Sequence, residues 1–282
     1  MNIKLIIVSA VFLAINVSSC KQAANRQLPV TPVSENTADL VKDHEVVKPQ
    51  ENSPIQVLAK PEVPVLCYHR IADGKKGDYT VSLATFSEHM KLLADSGYHS
   101  INPAQLYDYL VYNHNLPSKP VMITFDDSRA EHSEIAAPVM EKYGFKGVFF
   151  IMTITCNKKN YMTTQQIAGL AKEGNTIGLH SWDHTMVTKY KESADWQKQI
   201  VAPKEKLEKI VDRPIECWAY PNGVYDHKGA EELNKYFKLS FTLYSKRDSI
   251  YPLQTVRRII VPECTAHGLL KSMRRTFGRD QI

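Results

Sequence analysis

The sequence predicts an α/β fold built on a parallel sheet, arranged as a (β/α)7-type barrel in a single domain. From Pro61 onward, short apolar runs alternate with helical patterns. The apolar runs are continuous, which is typical of strands buried on both faces of a parallel sheet. About seven strand–helix units follow one another without a break, and this favours one barrel over two domains.

The strands and helices are predicted in a regular order. The first strand lies at 63–69, and the first helix opens with a capping box from Thr85 to Glu88 and closes on Gly97. A second helix starts at Asn102. The later strands are predicted at 119–125, 146–152, 175–180, 215–220, 238–243 and 257–261. The later helices are predicted at 133–143, 163–172, 193–211 with an interruption at Pro203, 227–235 and 266–276.

Composition and charge are those of a globular chain. Apolar residues make up 43% of its 282 residues, which is ample for a hydrophobic core. The 35 Lys and Arg residues outnumber the 30 Asp and Glu residues, but they are spread without a dense basic block. We therefore expect no nucleic-acid partner.

The N-terminal segment has the features of an export signal. The apolar stretch from Leu5 to Val17 would span about 20 Å as a helix, too short for the roughly 30 Å hydrocarbon core of a membrane. Cys20 follows in VSSC, which resembles the lipobox of bacterial lipoproteins and implies lipidation of that thiol. We expect a lipoprotein signal peptide at 1–19 and an exported protein anchored on the periplasmic or outer surface. An ordinary signal peptide with a chance cysteine is the alternative.

Residues 20–60 are predicted to form a flexible tether ahead of a folded domain at 61–282. They are rich in Pro, Asn, Gln, Glu and Lys and have few regularly spaced apolar residues. Four further cysteines permit two disulfides outside the cytoplasm, but buried free thiols are equally ordinary in such strand-like runs. Their pairing stays open: Cys67, Cys156, Cys217 and Cys264.

Polar side chains follow several predicted strands at the point where each strand ends. Because the carboxyl ends of parallel strands meet at one rim, we expect these side chains to lie together. They are His69, Asp126 and Asp127, His180, and the turn Pro221-Asn222-Gly223. For the two aspartates the alternative is capping of the helix near His132. Independent strands that deliver polar groups to the same rim weaken that alternative.

The segment HSWDH separates His180 and His184 by four residues, a spacing that puts both imidazoles on one side of a helical turn. Such a pair alone is more often structural. With Asp127 it offers two neutral nitrogens and one carboxylate, and three ligands with an open position are typical of a catalytic divalent metal. Neighbouring residues at a strand end point to opposite faces, so Asp126 and Asp127 are predicted to have separate roles.

The motifs TFDD, HSWDH and AYPNG resemble, in this order, the first three motifs of the polysaccharide deacetylases of carbohydrate esterase family 4. The resemblance covers about residues 61–265. It implies a distorted (β/α)7-type barrel with a single catalytic domain. It also implies metal-dependent removal of N-acetyl groups from an extracytoplasmic polysaccharide, with release of acetate. PVLCYHRI, SGYHSI, LPSKPVMITFDD, PVMEKYGFKGVFF and AYPNG are most similar to the exported poly-β-1,6-N-acetylglucosamine deacetylases.

The resemblance also implies a role for each site residue. The implied ligands of one divalent metal ion are Asp127, His180 and His184. Zinc is expected, with cobalt or nickel as alternatives. Asp126 is the implied general base, which takes a proton from the attacking water. A backbone amide beside Asn222, in the turn that Pro221 begins, is expected to help hold the oxyanion.

The leaving nitrogen must be protonated, so a general acid is required. In most of the family it is a histidine in a late Leu-x-His motif, which this chain lacks. The only histidine past residue 227 is His267, in TAHGLL. The biofilm-type enzymes use a histidine near the start of the domain, and His69 in CYHRI matches that position. His69 is therefore the predicted acid. The alternatives are His267 as the acid and a purely structural hydrogen-bonded role for His69.

Three features depart from the family pattern or stay open. The arginine that usually precedes the third motif and orients the base is absent, and Arg258 is a candidate to reach the same carboxylate. Ser128 replaces the glycine that usually follows TFDD. Trp182 and Trp218 flank motif residues and are candidates to stack on a sugar, with buried packing as the alternative for both.

The predicted partners are a polysaccharide that contains N-acetylglucosamine and a membrane reached through the lipid anchor. Peptidoglycan or chitooligosaccharide deacetylation is the alternative activity. A glycan-binding lipoprotein with weakened catalysis is an alternative from a different class, because the motif arginine is missing.

Overall fold

The computed structural model describes residues 50–74, 77, 79–243 and 246–278. The predicted signal peptide, Cys20 and the tether up to residue 49 lie outside the described residues. Within the part that is described, no helix has the length and apolar character needed to cross a membrane.

Nine strands of the described part form a parallel sheet that is nearly closed into a barrel, and two more form a separate pair. They are β1 (Val65–Tyr68), β2 (Arg70–Ile71), β3 (Thr80–Val81), β4 (His99–Ser100), β5 (Pro120–Phe125), β6 (Val148–Ile151), β7 (Thr176–Leu179), β8 (Cys217–Ala219), β9 (Leu239–Thr242), β10 (Val256–Arg257) and β11 (Ile259–Ile260). The order in the sheet is β10-β9-β8-β7-β6-β5-β1-β11, and β4 pairs with the start of β5. β2 and β3 form a separate pair.

One short segment connects the two edges of the sheet. β10 pairs with β9 through Val256 and Phe241, and β11 pairs with β1 through Ile259 and Leu66. The residue between these two strands is Arg258, which therefore lies at the seam where the two edges of the sheet meet. The predicted (β/α)7-type barrel in a single domain is confirmed.

The helices lie between the strands, as the sequence patterns predict. They are α1 (Pro54–Ala59), α2 (Leu83–Asp95), α3 (Pro103–Tyr112), α4 (Ala137–Lys142), α5 (Thr164–Lys172), α6 (Ser193–Trp196), α7 (Ala202–Val211), α8 (His227–Leu233) and α9 (Ala266–Phe277). Asn102 caps α3 by accepting the Gln105 amide, as predicted. The predicted capping box at Thr85 is wrong, because the Ser82 hydroxyl accepts the Thr85 amide and α2 begins at Leu83.

The folded part begins earlier than the sequence indicates. Residues 50–60 were expected to belong to the tether, yet they contain α1, which Ser53 caps and whose Val57 is buried. The Asn52 amide donates to the Val111 carbonyl oxygen at the end of α3. A single buried valine gives no periodic signal, so the sequence pattern here predicts a flexible segment.

The two faces of the strands make two apolar clusters. Leu66, Ile123 and Phe149 pack with the helices, whereas Met122 and Phe150 belong to the cluster inside the barrel. The interior is tight at Gly178, where an added Cβ would lie 2.5 Å from the Phe150 ring. The inward-facing residues that continue past the carboxyl ends of the strands form the candidate site.

Candidate active site

Asp126 lies directly after β5 and is 1% exposed. Arg258 donates two hydrogen bonds to its carboxylate, from Nη1 to Oδ1 at 2.7 Å and from Nη2 to Oδ2 at 2.8 Å. Burial is the largest single effect on the Asp126 carboxyl and raises its pKa, but the charge and hydrogen bonds of the Arg258 guanidinium, together with the nearby imidazoles, bring that pKa well below its usual range. Asp126 is therefore a charged carboxylate in a buried place.

Arg258 is itself held by groups inside the barrel. Its Nη1 also donates to the Thr124 hydroxyl at 3.1 Å, and that hydroxyl donates to the Leu66 carbonyl oxygen at 2.9 Å. The guanidinium carbon lies 5.3 Å from the centroid of the Phe150 ring. The expected contact of Arg258 with the carboxylate of the candidate base is thus present, and it comes from the seam of the barrel.

Asp127 has a different conformation and a different setting. Its φ is +75° and that of Ser128 is +59°, so the chain turns sharply through the left-handed region after Asp126. The Ser128 hydroxyl accepts the Met152 amide at 2.7 Å and fixes this turn. The left-handed conformation of Asp127 is what gives the two carboxylates different directions. The expectation that the alternation of side chains along a strand does so is wrong.

The capping alternative for the two aspartates is not supported. The helical segment that begins at His132 has Glu131 at its N-cap position and no side-chain hydrogen bond to its first amides. The side chains of Asp126 and Asp127 both face His180 instead, at 3.8 Å and 3.7 Å from its Nε2.

His180 follows β7, and its side chain is 1% exposed. Its Nδ1 donates to the Ala219 carbonyl oxygen at 2.7 Å, which places the ring proton on Nδ1 and leaves Nε2 with a free lone pair. Nε2 is buried and has no hydrogen-bond partner among the described protein atoms. Burial lowers the pKa of His180, so its imidazole is neutral, as a metal ligand must be.

His184 reaches the same place through a turn. The predicted helical turn is wrong, because Ser181 and His184 have φ values of +63° and +72° and the Ser181 hydroxyl accepts the His184 amide. The two imidazole centroids are 4.9 Å apart. His184 Nε2 lies 3.5 Å from Asp127 Oδ1. The four-residue spacing brings the rings together, but through left-handed residues.

Asp127, His180 and His184 together fit a divalent cation. One ligand atom from each lies within 4.8 Å of the others. The buried His180 Nε2 lies 3.8 Å and 3.7 Å from an oxygen of each carboxylate without a hydrogen-bond partner among the described protein atoms, and such a group is costly to bury without one. One carboxylate and two imidazoles suit zinc, and imidazole also suits cobalt and nickel.

His69 stands on the other side of Asp126. Its Nε2 lies 3.9 Å from Asp126 Oδ2, and its side chain is 14% exposed. His132 Nε2 donates to the His69 carbonyl oxygen at 2.6 Å and so holds the backbone at this strand end. His267, the alternative acid, is exposed in the first turn of α9, a helix that packs against α2. Of the two histidines, only His69 is placed beside Asp126.

The turn after β8 presents Asn222. This residue is exposed and has a φ of +57°, in the turn Pro221–Gly223. The amides after it serve the turn itself, because Gly223 donates to the Tyr220 carbonyl oxygen and Val224 to that of Pro221. Of the backbone amides in this turn, the candidate oxyanion donor is therefore that of Asn222.

The two tryptophans have different positions. Trp218 is fully buried and stacks on Phe237, so packing is its role. Trp182 is half-buried in the turn between the two candidate ligand histidines, and Lys198 Nζ lies 4.5 Å from its ring centroid. Trp182 stays a candidate for sugar contact.

Sequence reasoning missed two residues at the site. Cys67 is buried, and its Sγ lies 3.5 Å from Asp126 Oδ2. Tyr79 is 53% exposed, and its ring centroid lies 5.1 Å from that of His69. Cys67 had a signal, because it precedes His69 by two residues in a strand and so shares its face. All four cysteines within the described part are free.

Comparisons with known proteins show which family and fold the chain resembles. Residues 113–237 match the model of a family described as Polysaccharide deacetylase. YxkH of Bacillus subtilis (strain 168), whose name assigns it to the polysaccharide deacetylases, is 27% identical over 216 residues, 76% of each chain.

Two solved structures show the same fold. The crystal structure of a polysaccharide deacetylase from Bacillus cereus is 26% identical, with a TM-score of 0.66 over 75% of this chain and 69% of that one. The Streptococcus pyogenes deacetylase PplD, solved in complex with acetate, is 23% identical, with a TM-score of 0.69 over 76% of this chain and 99% of that one. The second likeness concerns the fold alone.

Proposed function

We propose that the chain belongs to the polysaccharide deacetylases, which it resembles over residues 113–237, and that it is a metal-dependent hydrolase of N-acetylglucosamine units in an extracytoplasmic polysaccharide. It removes the N-acetyl group, releases acetate and leaves a free amine on the sugar. The subclass proposed is that of the exported poly-β-1,6-N-acetylglucosamine deacetylases, because His69 takes the place of the late histidine that this chain lacks.

The observation that carries the proposal is the setting of His180 Nε2. This lone pair is buried, lacks a hydrogen-bond partner among the described protein atoms, and faces Asp127 on one side and Asp126 on the other. A metal-ligand set beside a separately held carboxylate is the arrangement that amide hydrolysis with an activated water requires.

The proposed chemistry divides between the metal and the protein. A metal ion held by Asp127, His180 and His184 would supply Lewis-acid polarisation of the acetamide carbonyl and would make the attacking water more acidic. Asp126 Oδ2 accepts the proton of that water as it attacks. The Asn222 amide donates to the carbonyl oxygen as negative charge develops there.

The second proton transfer is assigned to His69. The C–N bond breaks only if the leaving nitrogen gains a proton, because an amide anion is a very poor leaving group. His69 Nε2 stands beside Asp126 and is partly open to the outside, so it can donate that proton. Acetate and the amine are the products.

Arg258 takes over the task of the missing motif arginine in this proposal. A bidentate guanidinium fixes the plane of the Asp126 carboxylate and keeps it charged inside the barrel. Fixed orientation of the base matters because small displacements of a catalytic group cost much of the rate.

The sugar is proposed to contact two aromatic side chains at the rim. Trp182 lies next to the metal ligands, and Tyr79 lies next to His69 with about half of its surface open. Aromatic faces suit the apolar C–H faces of pyranose rings. Peptidoglycan and chitooligosaccharides remain alternative substrates, since they carry the same acetamide.

Acetate release tests the proposal. The protein is incubated with β-1,6- and β-1,4-linked N-acetylglucosamine oligomers and with peptidoglycan, each with zinc, cobalt, nickel or a chelator. We expect most acetate from the β-1,6 oligomers, loss with the chelator, and loss in an Asp126→Asn control. Binding of oligomers without acetate release under any metal would favour the glycan-binding alternative.

The lipid anchor is also part of the proposal. Its support is the VSSC sequence directly after the apolar segment. Cys20→Ser should release the protein from the membrane fraction of cells that express it. Unchanged fractionation of this variant would contradict lipidation at Cys20.

A further inference from the structure

We infer that Cys67 is a positioning residue that holds the base Asp126 and the acid His69 in one arrangement. This inference rests on the proposed function for the roles of those two residues. Cys67 Sγ lies 3.5 Å from Asp126 Oδ2 and 3.8 Å from His69 Nδ1. It is the atom that contacts both proposed proton-transfer groups.

The place of Cys67 in the fold explains why it can do this. Cys67 and His69 are two residues apart at the end of β1, so their side chains leave the strand on the same face. β1 pairs with β5, where Cys67 stands opposite Thr124, two residues before Asp126. The register of two neighbouring strands thus delivers the thiol between the carboxylate and the imidazole.

The thiol acts as a hydrogen-bond donor to the carboxylate. Burial raises the pKa of the Cys67 thiol well above its ordinary range, so the S–H group stays intact. A thiol is a weak donor, but the acceptor here is charged and both groups are buried. Arg258 holds both oxygens of Asp126, and the thiol adds a second donor to Oδ2, which faces the site.

A second cation site is the competing explanation for the same cluster. One ligand atom each of Cys67, His69 and Asp126 lies within 4.8 Å of the others, as in a metal site. The guanidinium of Arg258 already occupies both oxygens of Asp126, and its positive charge opposes a cation at this place. We therefore assign the cluster to hydrogen bonding.

The chain offers a matched control for a substitution here. Cys217, in β8, is 1% exposed, whereas Cys67 is 0% exposed. Both are free thiols on strands of one sheet, but β7, β6 and β5 separate them, and Cys217 packs in the apolar interior near Gly178. Truncation of either side chain to alanine removes the same buried volume, so a difference between the variants reports the contacts of Cys67.

Steady-state kinetics on an N-acetylglucosamine oligomer with saturating zinc tests the inference. We expect Cys67→Ala to lower kcat roughly 10-fold with KM within about 2-fold, because it disturbs alignment and leaves binding intact. Cys67→Ser keeps a donor and should stay within about 3-fold of the wild type, as should Cys217→Ala. Equal kcat losses in Cys67→Ala and Cys217→Ala would overturn the inference.

Two measurements do not depend on turnover. Crystal structures of the alanine variants should show His69 and Asp126 displaced in Cys67→Ala only. Unchanged positions of His69 and Asp126 in Cys67→Ala would overturn the inference, and this result does not depend on activity. An inactive wild type on every glycan would instead refute the proposed function. Elemental analysis should give one zinc per chain in both variants. Two zinc ions in the wild type and one in Cys67→Ala would overturn the inference in favour of a second metal site.

Discussion

Asp126 and Asp127 are neighbours in the chain and have opposite surroundings. The side chain of Asp126 is 2% exposed and is held by Arg258, whereas that of Asp127 is 24% exposed and faces the imidazoles of His180 and His184. Asp126 follows the strand directly, and Asp127 lies in a left-handed turn.

This difference shows how one strand end can serve two chemical tasks. A carboxylate whose oxygens are both held by a guanidinium has little capacity left to bind a metal, but it keeps one oxygen edge toward the site. A carboxylate without such a partner is free to be a ligand. The environment of each residue, more than its type, separates the proposed base from the proposed ligand.

The largest effect is expected from removal of the Arg258 guanidinium, which holds the Asp126 carboxylate. Arg258→Met leaves the buried carboxylate without its partner, which should lower the free energy of unfolding by about 3–5 kcal/mol and abolish most acetate release. Urea unfolding and the acetate assay measure both. The matched control is Arg257→Met, whose partly exposed pair with Glu62 is worth roughly 1 kcal/mol. Equal losses in the two variants would contradict a special role for Arg258.

The pH dependence of kcat/KM should also change in Arg258→Met. Arg258 lowers the pKa of Asp126 in the folded state, so the stabilising contribution of the charged carboxylate is present above the unfolded pKa of about 3.9 and is lost as the pH falls through the folded pKa. Without Arg258, burial raises that pKa. The acid limb of kcat/KM at saturating zinc should therefore move to higher pH in Arg258→Met, and an unmoved limb would contradict Asp126 as the base.

The next largest effect is expected at His69, the proposed general acid beside Asp126. His69→Ala should lower acetate release by roughly 10² to 10⁴-fold, the usual contribution of a positioned acid or base, while the zinc content stays the same. His267→Ala is the control and should leave both unchanged. If His267→Ala showed the loss and His69→Ala did not, the acid would have to be reassigned.

The smallest effect concerns the turn that holds Asp127. Ser128→Ala and Ser128→Gly both remove the hydrogen bond to the Met152 amide, but only glycine relieves the left-handed backbone. The glycine variant should therefore be more stable than the alanine variant by about 1 kcal/mol and should bind zinc more tightly. Thermal unfolding with and without zinc compares them, and the reverse order would show that backbone strain at Ser128 is negligible.

Much of this arrangement could be predicted from the sequence, because parallel strands present their carboxyl ends at one rim. That rule alone brought His69, Asp126 and His180 together. The contact of Arg258 depends on closure of the barrel, where one residue lies between two strands that pair with opposite edges. The spacing of residues in the sequence does not show which strands pair at the two edges of the sheet.

The wrong predictions concern local conformation. A four-residue spacing between His180 and His184 is compatible with a helical turn and with a left-handed turn, and only the backbone angles distinguish them. Thr85 and Glu88 have the residue types and spacing of a capping box, yet the N-cap of this helix is Ser82. Both errors arise where two local structures satisfy the same pattern.

The division of roles between the two aspartates is tested most directly by zinc content measured beside acetate release in Asp126→Asn and Asp127→Asn. We expect the Asp126→Asn protein to keep close to one zinc per chain and to lose turnover, because an amide cannot accept the proton of the water. The Asp127→Asn protein should lose zinc, because its charged ligand is gone. An active Asp126→Asn protein, or an Asp127→Asn protein that binds zinc as tightly as the wild type, would contradict the account.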